Sequence, residues 1–227
     1  MKNISNVLNG FQLKLIALIS MITDHICLVL FPAAPAAFFL RMTVGRIAMP
    51  VFAFLACEAF FYTKSRSSYC KRLLLFAIIS EPCYDLAKHG VLFFPGDQNV
   101  FFSLLLGIIL LCLIDTCYVK SKPYIMLLLT ACFMAAAWLL HLDYDFCAVA
   151  MIAVFYIFHW YPKYTAPLIS CSIVAVSYGT PGAYLATIVL LLYSRQSGPK
   201  KTALKYLFYV IYPLHLVILH ILSKIVF

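Results

Sequence analysis

The sequence predicts an all-α fold: a polytopic membrane helix bundle of about nine spans, with eight as the alternative count. Of its 227 residues, 65% are hydrophobic and only 11% are charged, and the mean hydropathy is +0.99. A soluble domain has about 45–50% apolar and about 25% charged residues. This chain therefore has too few polar residues to cover a globule in water, and we expect the lipid bilayer to surround it.

The apolar runs predict where the spans lie within a single domain that covers residues 1–227. A spanning helix needs about 20 mostly apolar residues. The predicted spans are residues 12–31, 38–62, 69–88, 98–118, 123–141, 144–161, 164–178, 182–194 and 204–226. The seventh and eighth runs are short and meet at a Gly- and Pro-containing segment, residues 178–182. They form either two half-length helices or one broken span.

The basic residues predict a cytoplasmic N-terminus and an external C-terminus, because Lys and Arg concentrate in cytoplasmic segments. With nine spans, the outer loops hold only Lys88, and Lys224 lies near the C-terminus. The cytoplasmic segments hold Lys2, Lys14, Lys64, Arg66, Lys71, Arg72, Lys120, Lys122, Lys163, Arg195, Lys200, Lys201 and Lys205. The same rule explains the net charge of +9, so we expect no nucleic-acid partner.

Ionisable residues inside the predicted spans are the candidate functional residues, since a charge in the membrane is costly and is usually retained for function. They are Asp24, His25, Arg41, Arg46, Glu58, Glu81, Asp85 and His215. Because successive spans alternate in direction, all of these except Glu58 fall at or beyond mid-depth toward the outer side. Asn99, Asp143 and Tyr178 are expected at the same depth, so we predict one polar cavity there.

Structural roles are the alternative for several of these residues. Arg41 could anchor the chain at the membrane interface, and Arg46 could form an ion pair with Glu81 or Asp85. Asp24 and His25 could be a buried pair that only packs helices. The nine cysteines contain no C-x-x-C spacing, so we expect neither a metal site nor a disulfide framework.

The residue types favour acyl transfer. A histidine can remove a proton near neutral pH, and an arginine can stabilise the oxyanion of a thioester carbonyl. A proton-coupled transporter is the competing class, because membrane transporters also use Asp, His, Arg and Glu. An assembly factor without enzymatic activity is a third class, although it would leave the buried charges poorly explained.

Five ordered blocks resemble the TraX family. They are residues 13–25, ending in Thr23-Asp24-His25; residues 41–54, with Gly45-Arg46-Ile47-Ala48; residues 69–85, with Ser80-Glu81-Pro82; Asn99-Val100 with Leu106-Gly107; and residues 208–216, with Tyr212-Pro213-Leu214-His215. The match covers essentially the whole chain. The chain departs from the family pattern at Asp143-Tyr144-Asp145 and Ala148, where Asp-Tyr-Gly and a later Gly are expected. It also has Ser194-Arg195 in place of Asn-Gly.

The resemblance implies an acetyltransferase in the cell (cytoplasmic) membrane, since TraX proteins are known as conjugative pilin N-acetylases within a wider group of transmembrane acyltransferases. Acetyl-CoA would be the donor, and a pilin, another peptide or a glycan the acceptor. His25 would be the catalytic base and Asp24 its support. Arg41 and Arg46, together with Asn99, would bind the donor or stabilise the oxyanion. Glu81, Asp85, Asp143, Tyr178 and His215 would complete the polar cavity.

Overall fold

The computed structural model describes residues 7–116, 121–196, 198–199 and 202–226. Four basic residues of the topology argument, Lys2, Lys120, Lys200 and Lys201, lie outside the described residues, as do the last two residues of the predicted span 98–118. The helices are α1 (Gly10–Leu30), α2 (Pro35–Met42), α3 (Ala48–Tyr62), α4 (Arg66–His89), α5 (Val100–Ile114), α6 (Pro123–Leu139), α7 (Asp145–Ile157), α8 (Thr165–Tyr178), α9 (Tyr184–Leu191) and α10 (Thr202–Val226). Within the described residues, β-type pairing is limited to two isolated bridges, and the all-α class is confirmed.

Three stretches are long and apolar enough to cross a membrane: Gly10–Leu30, Pro35–Tyr62 and Tyr206–Ile225. The remaining apolar helices are shorter; α5, for example, has 15 residues, or about 22 Å at 1.5 Å per residue. By their length and composition, these helices are compatible with a membrane protein. The number of complete spans and the direction of the N-terminus remain predictions.

The bundle has two ends with different chemistry. Short connections reverse the chain direction between successive long helices. At one end, Gln98 and Asp143 of two connecting loops pair through their backbones, with Asp143 N–H donating to the Gln98 carbonyl at 2.8 Å. At the other end, Arg66 and Asp115 form an ion pair at 2.5 Å. We call the first the polar end and the second, where α1 begins, the basic end.

The predicted span 38–62 is broken rather than continuous. Helix α2 ends at Met42, a short 3₁₀ turn covers Gly45–Ile47, and α3 begins at Ala48. Pro50 explains the break, because proline has no N–H to donate to the carbonyl four residues earlier and its ring clashes with that carbonyl. In a continuous helix that carbonyl would belong to Arg46. The break therefore lies where the two arginines are, and it reorients the chain between them.

Hydroxyl groups satisfy the backbone at this break, as membrane burial requires. The Ser20 hydroxyl on α1 lies 2.6 Å from the Val44 carbonyl and 3.2 Å from the Gly45 carbonyl. The Thr180 hydroxyl donates to the Met42 carbonyl. Gly45 allows α1 to approach closely, because a Cβ at this position would lie 2.5 Å from Oδ1 of Asp24. The break is thus held against α1 from one side and against the α8–α9 connection from the other.

The seventh and eighth predicted spans form a helical hairpin rather than one broken span. Gly179 adopts a left-handed conformation with φ 62°, and a 3₁₀ turn at Pro181–Ala183 leads into α9. The Ser172 and Tyr184 hydroxyls are 2.9 Å apart, which joins the two helices side by side. Helix α9 has only 8 residues, about 12 Å, and is too short to cross a bilayer on its own.

Ser20→Ala should destabilise the protein by about 1–2 kcal/mol, because it removes a hydrogen bond from two buried carbonyls at the helix break. Ser170→Ala is the matched control: Ser170 is fully buried, yet its hydroxyl has no hydrogen-bond partner. Thermal unfolding of both variants in the same detergent would measure the difference. Equal melting temperatures would show that Ser20 does not stabilise the break.

Candidate functional site

A polar cavity of about 290 Å³ opens at the polar end of the bundle. Six of the residues proposed from sequence line it: Asp24, His25, Arg41, Arg46, Asp143 and Tyr178. They come from α1, from α2 and the helix break, from the α6–α7 loop and from α8. The structure thus brings these residues together from four separate parts of the chain.

His25 and His215 form the central contact of this site. Nδ1 of His25 lies 2.8 Å from Nε2 of His215, so the first described helix and the last meet through two imidazoles. The rings are nearly parallel, with centroids 5.0 Å apart. Tyr212, one turn earlier on α10, packs edge-on against both rings. His215 itself is 8% exposed and contacts the cavity through His25.

The hydrogen bonds fix which nitrogen of His25 is basic. Nδ1 of His215 lies 2.9 Å from the Ile211 carbonyl, and a carbonyl can only accept, so this nitrogen carries the hydrogen. In a neutral imidazole the other nitrogen is then an acceptor. Nε2 of His215 therefore accepts from Nδ1–H of His25. The lone pair of His25 is left on Nε2, where it is available to take a proton.

Asp24 does not support His25 as expected; it pairs with Arg41. The Arg41 Nε and Asp24 Oδ1 are 3.7 Å apart, and neither atom has a hydrogen-bond partner. Neighbours on a helix point about 100° apart, so adjacency in the sequence did not bring Asp24 to the imidazole. The support assigned to Asp24 falls instead to His215.

Arg46 is buried in an aromatic environment and pairs with neither Glu81 nor Asp85. Its guanidinium carbon lies 4.7 Å from the Tyr178 ring centroid and 5.7 Å from the Tyr144 ring centroid. Nη1 donates to the Tyr144 hydroxyl at 3.3 Å. Its Nε has no partner, so the guanidinium retains an unused donor beside a cavity.

Besides His215, three proposed residues, Asn99, Glu81 and Asp85, do not line the polar cavity. Asn99 caps α5 by accepting from Phe101 N–H, and its amide donates to Glu81 at 2.5 Å and to the Ala77 carbonyl at 2.8 Å. Asp85 is fully buried and accepts from the Phe94 N–H. These contacts hold the α4–α5 loop in place. They therefore leave Asn99 no free amide donor for an oxyanion.

Glu58 lies toward the basic end, as the sequence predicted. The Tyr193 hydroxyl is 3.4 Å from one of its oxygens and His159 Nδ1 is 3.9 Å from the other. These groups line a separate small cavity of about 60 Å³. Among the described residues, no group of three or more His, Cys, Asp or Glu side chains could hold a metal ion.

Sequence reasoning missed a polar cluster at the cavity mouth. Lys88 pairs with Asp97 and donates to the Tyr84 hydroxyl at 2.7 Å. The Tyr84 hydroxyl in turn donates to Asp97 at 3.1 Å, and His89 lies 3.2 Å from the same carboxylate. Lys88 was the lone basic residue of the predicted outer loops, and this isolation was the signal that could have identified it.

The α6–α7 loop presents its polar groups through unusual backbone geometry. His141, Tyr144 and Asp145 have φ values of 52°, 62° and 46°, a region that side chains with a Cβ rarely occupy. The turn directs Tyr144 to Arg46 and places the Asp143 carboxyl on the cavity wall. Burial raises the pKa of Asp143 to about 6, so this loop carboxyl keeps its proton to a higher pH than an ordinary aspartate does. Strained backbone of this kind is often found at functional sites.

Asp145→Gly should be more stable than Asp145→Ala by about 1 kcal/mol, because glycine adopts a positive φ without steric cost. Both variants lack the carboxylate, so the comparison isolates the backbone. Parallel chemical or thermal unfolding in detergent would measure it. A more stable alanine variant would show that this turn relaxes and stores no strain.

Comparisons with known proteins agree with the resemblance. The family model described as TraX protein matches residues 9–223. The chain is 26% identical over 237 residues to the probable fimbrial assembly protein FimC, serogroup H1, of Dichelobacter nodosus, and the alignment covers 93% of this chain and 94% of that protein. No solved structure matches the chain. Because the family model spans almost its full length, this chain belongs to the TraX family.

Proposed function

We propose that this protein is an integral membrane acyltransferase that moves an acetyl group from acetyl-CoA to an amine or hydroxyl of a membrane-associated or extracytoplasmic acceptor. The observation that supports this most directly is the state of His25. Its Nδ1–H is used by His215 and its Nε2 carries a lone pair beside a polar cavity. A general base for direct acyl transfer needs this arrangement.

The proposed reaction uses His25 twice. Nε2 accepts the proton of the acceptor N–H or O–H as that nitrogen or oxygen bonds to the thioester carbonyl carbon. The tetrahedral intermediate then collapses, the carbon–sulfur bond breaks, and the leaving sulfur takes the proton from Nε2. During the step, the imidazolium of His25 continues to donate through Nδ1 to His215, which stabilises the charged form without moving either ring.

Arg46 is the proposed oxyanion donor. Its positive charge and its unpartnered Nε lie beside the cavity in an environment of two tyrosine rings. A preorganised donor in a site that excludes water is effective because it needs no reorganisation as the charge develops. Arg41 is tied to Asp24, and we assign it the role of positioning the break that carries Arg46.

The size of the polar cavity limits which parts of the two substrates it can hold. A volume of about 290 Å³ lies at the lower limit of small-molecule pockets. It accommodates an acetyl thioester and the reacting end of an acceptor, but it cannot also hold the nucleotide of CoA. In the proposed orientation, with the N-terminus in the cytoplasm, the cavity opens on the outer side of the cell membrane and admits the acceptor there.

We propose the acceptor by its chemical class only. The Dichelobacter relative is named for fimbrial assembly, which makes the N-terminus of a pilin subunit one candidate. A surface glycan is the other, because His25 can serve an amine or a hydroxyl alike. Arg, Asp and His in one cavity would also suit a proton-coupled transporter, and the absence of thioester turnover would favour that alternative.

His25→Ala should strongly reduce the release of CoA thiol from acetyl-CoA by purified protein supplied with a peptide amine or an amino sugar, because the proposed general base is removed. General-base removal costs about 10²–10⁴ in rate. His220→Ala is the control, since His220 lies farther along α10 and lines no described cavity. Full turnover by His25→Ala would remove this histidine from the mechanism.

Arg46→Ala should lower kcat by about 10²–10³, the usual cost of removing one oxyanion donor. Arg46→Lys should recover only part of the loss, since an ammonium cannot reproduce the planar guanidinium beside the tyrosine rings. Steady-state kinetics with varied acetyl-CoA would separate kcat from KM. A normal kcat in Arg46→Ala would assign this residue a structural role.

A further inference from the structure

A second cavity, of about 350 Å³, lies between α1, α3, α4, α5 and α10. We call it the apolar cavity, because aliphatic and aromatic side chains form most of its wall. Met21, Phe52, Val100 and Tyr212 line this cavity and also the polar cavity. The two cavities therefore adjoin at a shared layer of side chains, near the level of His25.

One face of α1 runs along both cavities. Lys14, Leu18 and Met21 line the apolar cavity, and Met21 and His25 line the polar cavity. Their spacing of four, three and four residues places them on one side of a helix. A chain-like ligand lying along this face would extend from Lys14 at the basic end to His25 at the polar end.

The apolar cavity is positively charged at the basic end. Lys14 and Arg72 line it, and none of its other described lining residues is charged. The Lys14 ammonium lies 5.8 Å from the Phe208 ring centroid and the Arg72 guanidinium 5.7 Å from that of Tyr69. Arg72 also bonds to Tyr209, but its Nε is buried without a hydrogen-bond partner. Because two cations and no carboxylate are among the described lining residues of this cavity, it favours an anionic ligand group.

The distance between Lys14 and His25 matches the length of an extended phosphopantetheine arm. Lys14 and His25 are eleven residues apart on α1, or about 16 Å at 1.5 Å per residue. About thirteen bonds separate the phosphorus from the sulfur of a phosphopantetheine arm. An extended chain covers about 3.5 Å for every three bonds, so the arm spans about 15 Å.

We propose that the apolar cavity binds the phosphopantetheine arm of the thioester donor, with Lys14 and Arg72 holding its phosphate. The inference rests on the acyltransferase proposed above and adds its donor site. The thioester reaches His25 through the layer formed by Met21, Phe52, Val100 and Tyr212, while the nucleotide stays outside the basic end. A phospholipid also has a phosphate joined to a slender chain, and the experiment distinguishes CoA from a phospholipid.

The test measures CoA binding to the full-length protein in nanodiscs. Lys14→Ala combined with Arg72→Ala should weaken CoA binding about tenfold or more, because charge-assisted hydrogen bonds to the phosphate are lost. Pantetheine, which lacks the phosphate, should bind wild type and double variant equally. Lys71→Ala is the matched control, since Lys71 is an exposed neighbour of Arg72 that does not line the cavity.

A second variant fills the cavity without changing its charge. Ala59 lines the apolar cavity, and Ala59→Phe should weaken both CoA and pantetheine by a similar factor. Unchanged CoA affinity in both the double variant and Ala59→Phe would overturn the proposal, and so would wild-type protein that binds no CoA. A phospholipid that loses affinity in these variants while CoA does not would assign the cavity to lipid.

The experiments can refute the donor site without refuting the acyltransferase activity, and the reverse. CoA binding that depends on Lys14 and Arg72, without turnover of acetyl-CoA, would sustain this site and refute the acyltransferase. Turnover with an unchanged KM for acetyl-CoA in the double variant would sustain the acyltransferase and refute this site. His25→Ala should bind CoA as wild type does, because the histidine acts on the thioester and does not contact the phosphate.

Discussion

In hydrocarbon, every backbone N–H and C=O must find a partner within the protein, and the rest of this structure follows from that requirement. The described chain meets it with helices and departs from them at helix ends and at the break between α2 and α3. There the Ser20 and Thr180 hydroxyls reach the carbonyls of residues 42, 44 and 45. Irregular backbone is thus confined to a place where two other segments can bond to it. That place is also the wall of the polar cavity.

The same constraint explains how the buried polar side chains are arranged. An isolated charge in the membrane is costly, and here Arg41 lies against Asp24 while Arg46 lies beside two tyrosine rings. The two histidines need no carboxylate, because a neutral imidazole can donate through one nitrogen and accept through the other. The pair therefore holds a basic nitrogen in place without burying a net charge.

Two adjoining cavities of opposite character suit a reaction between unlike substrates. Charged, imidazole and phenol side chains line much of the polar cavity, whereas the apolar cavity has cations only at the basic end. His25 stands at the level where they approach. In the proposed reaction the donor and the acceptor would enter from opposite ends and meet at the imidazole, so neither would need to cross the whole bundle.

The sequence by itself determined the all-α class, the approximate position of most helices and six of the polar residues that line the polar cavity, because composition and the depth of a residue along a span are both properties of the linear chain. It could not determine the partners. Asp24 pairs with Arg41 rather than with His25, and Asn99 and Asp85 hold a loop in place. His215 contacts His25 although the two lie 190 positions apart in the sequence. Helix rotation decides which faces meet, and rotation is set by packing against neighbours. Tertiary packing also holds the break at Gly45 and the turn at Tyr144 in place, because hydroxyls and aromatic rings from distant helices contact them.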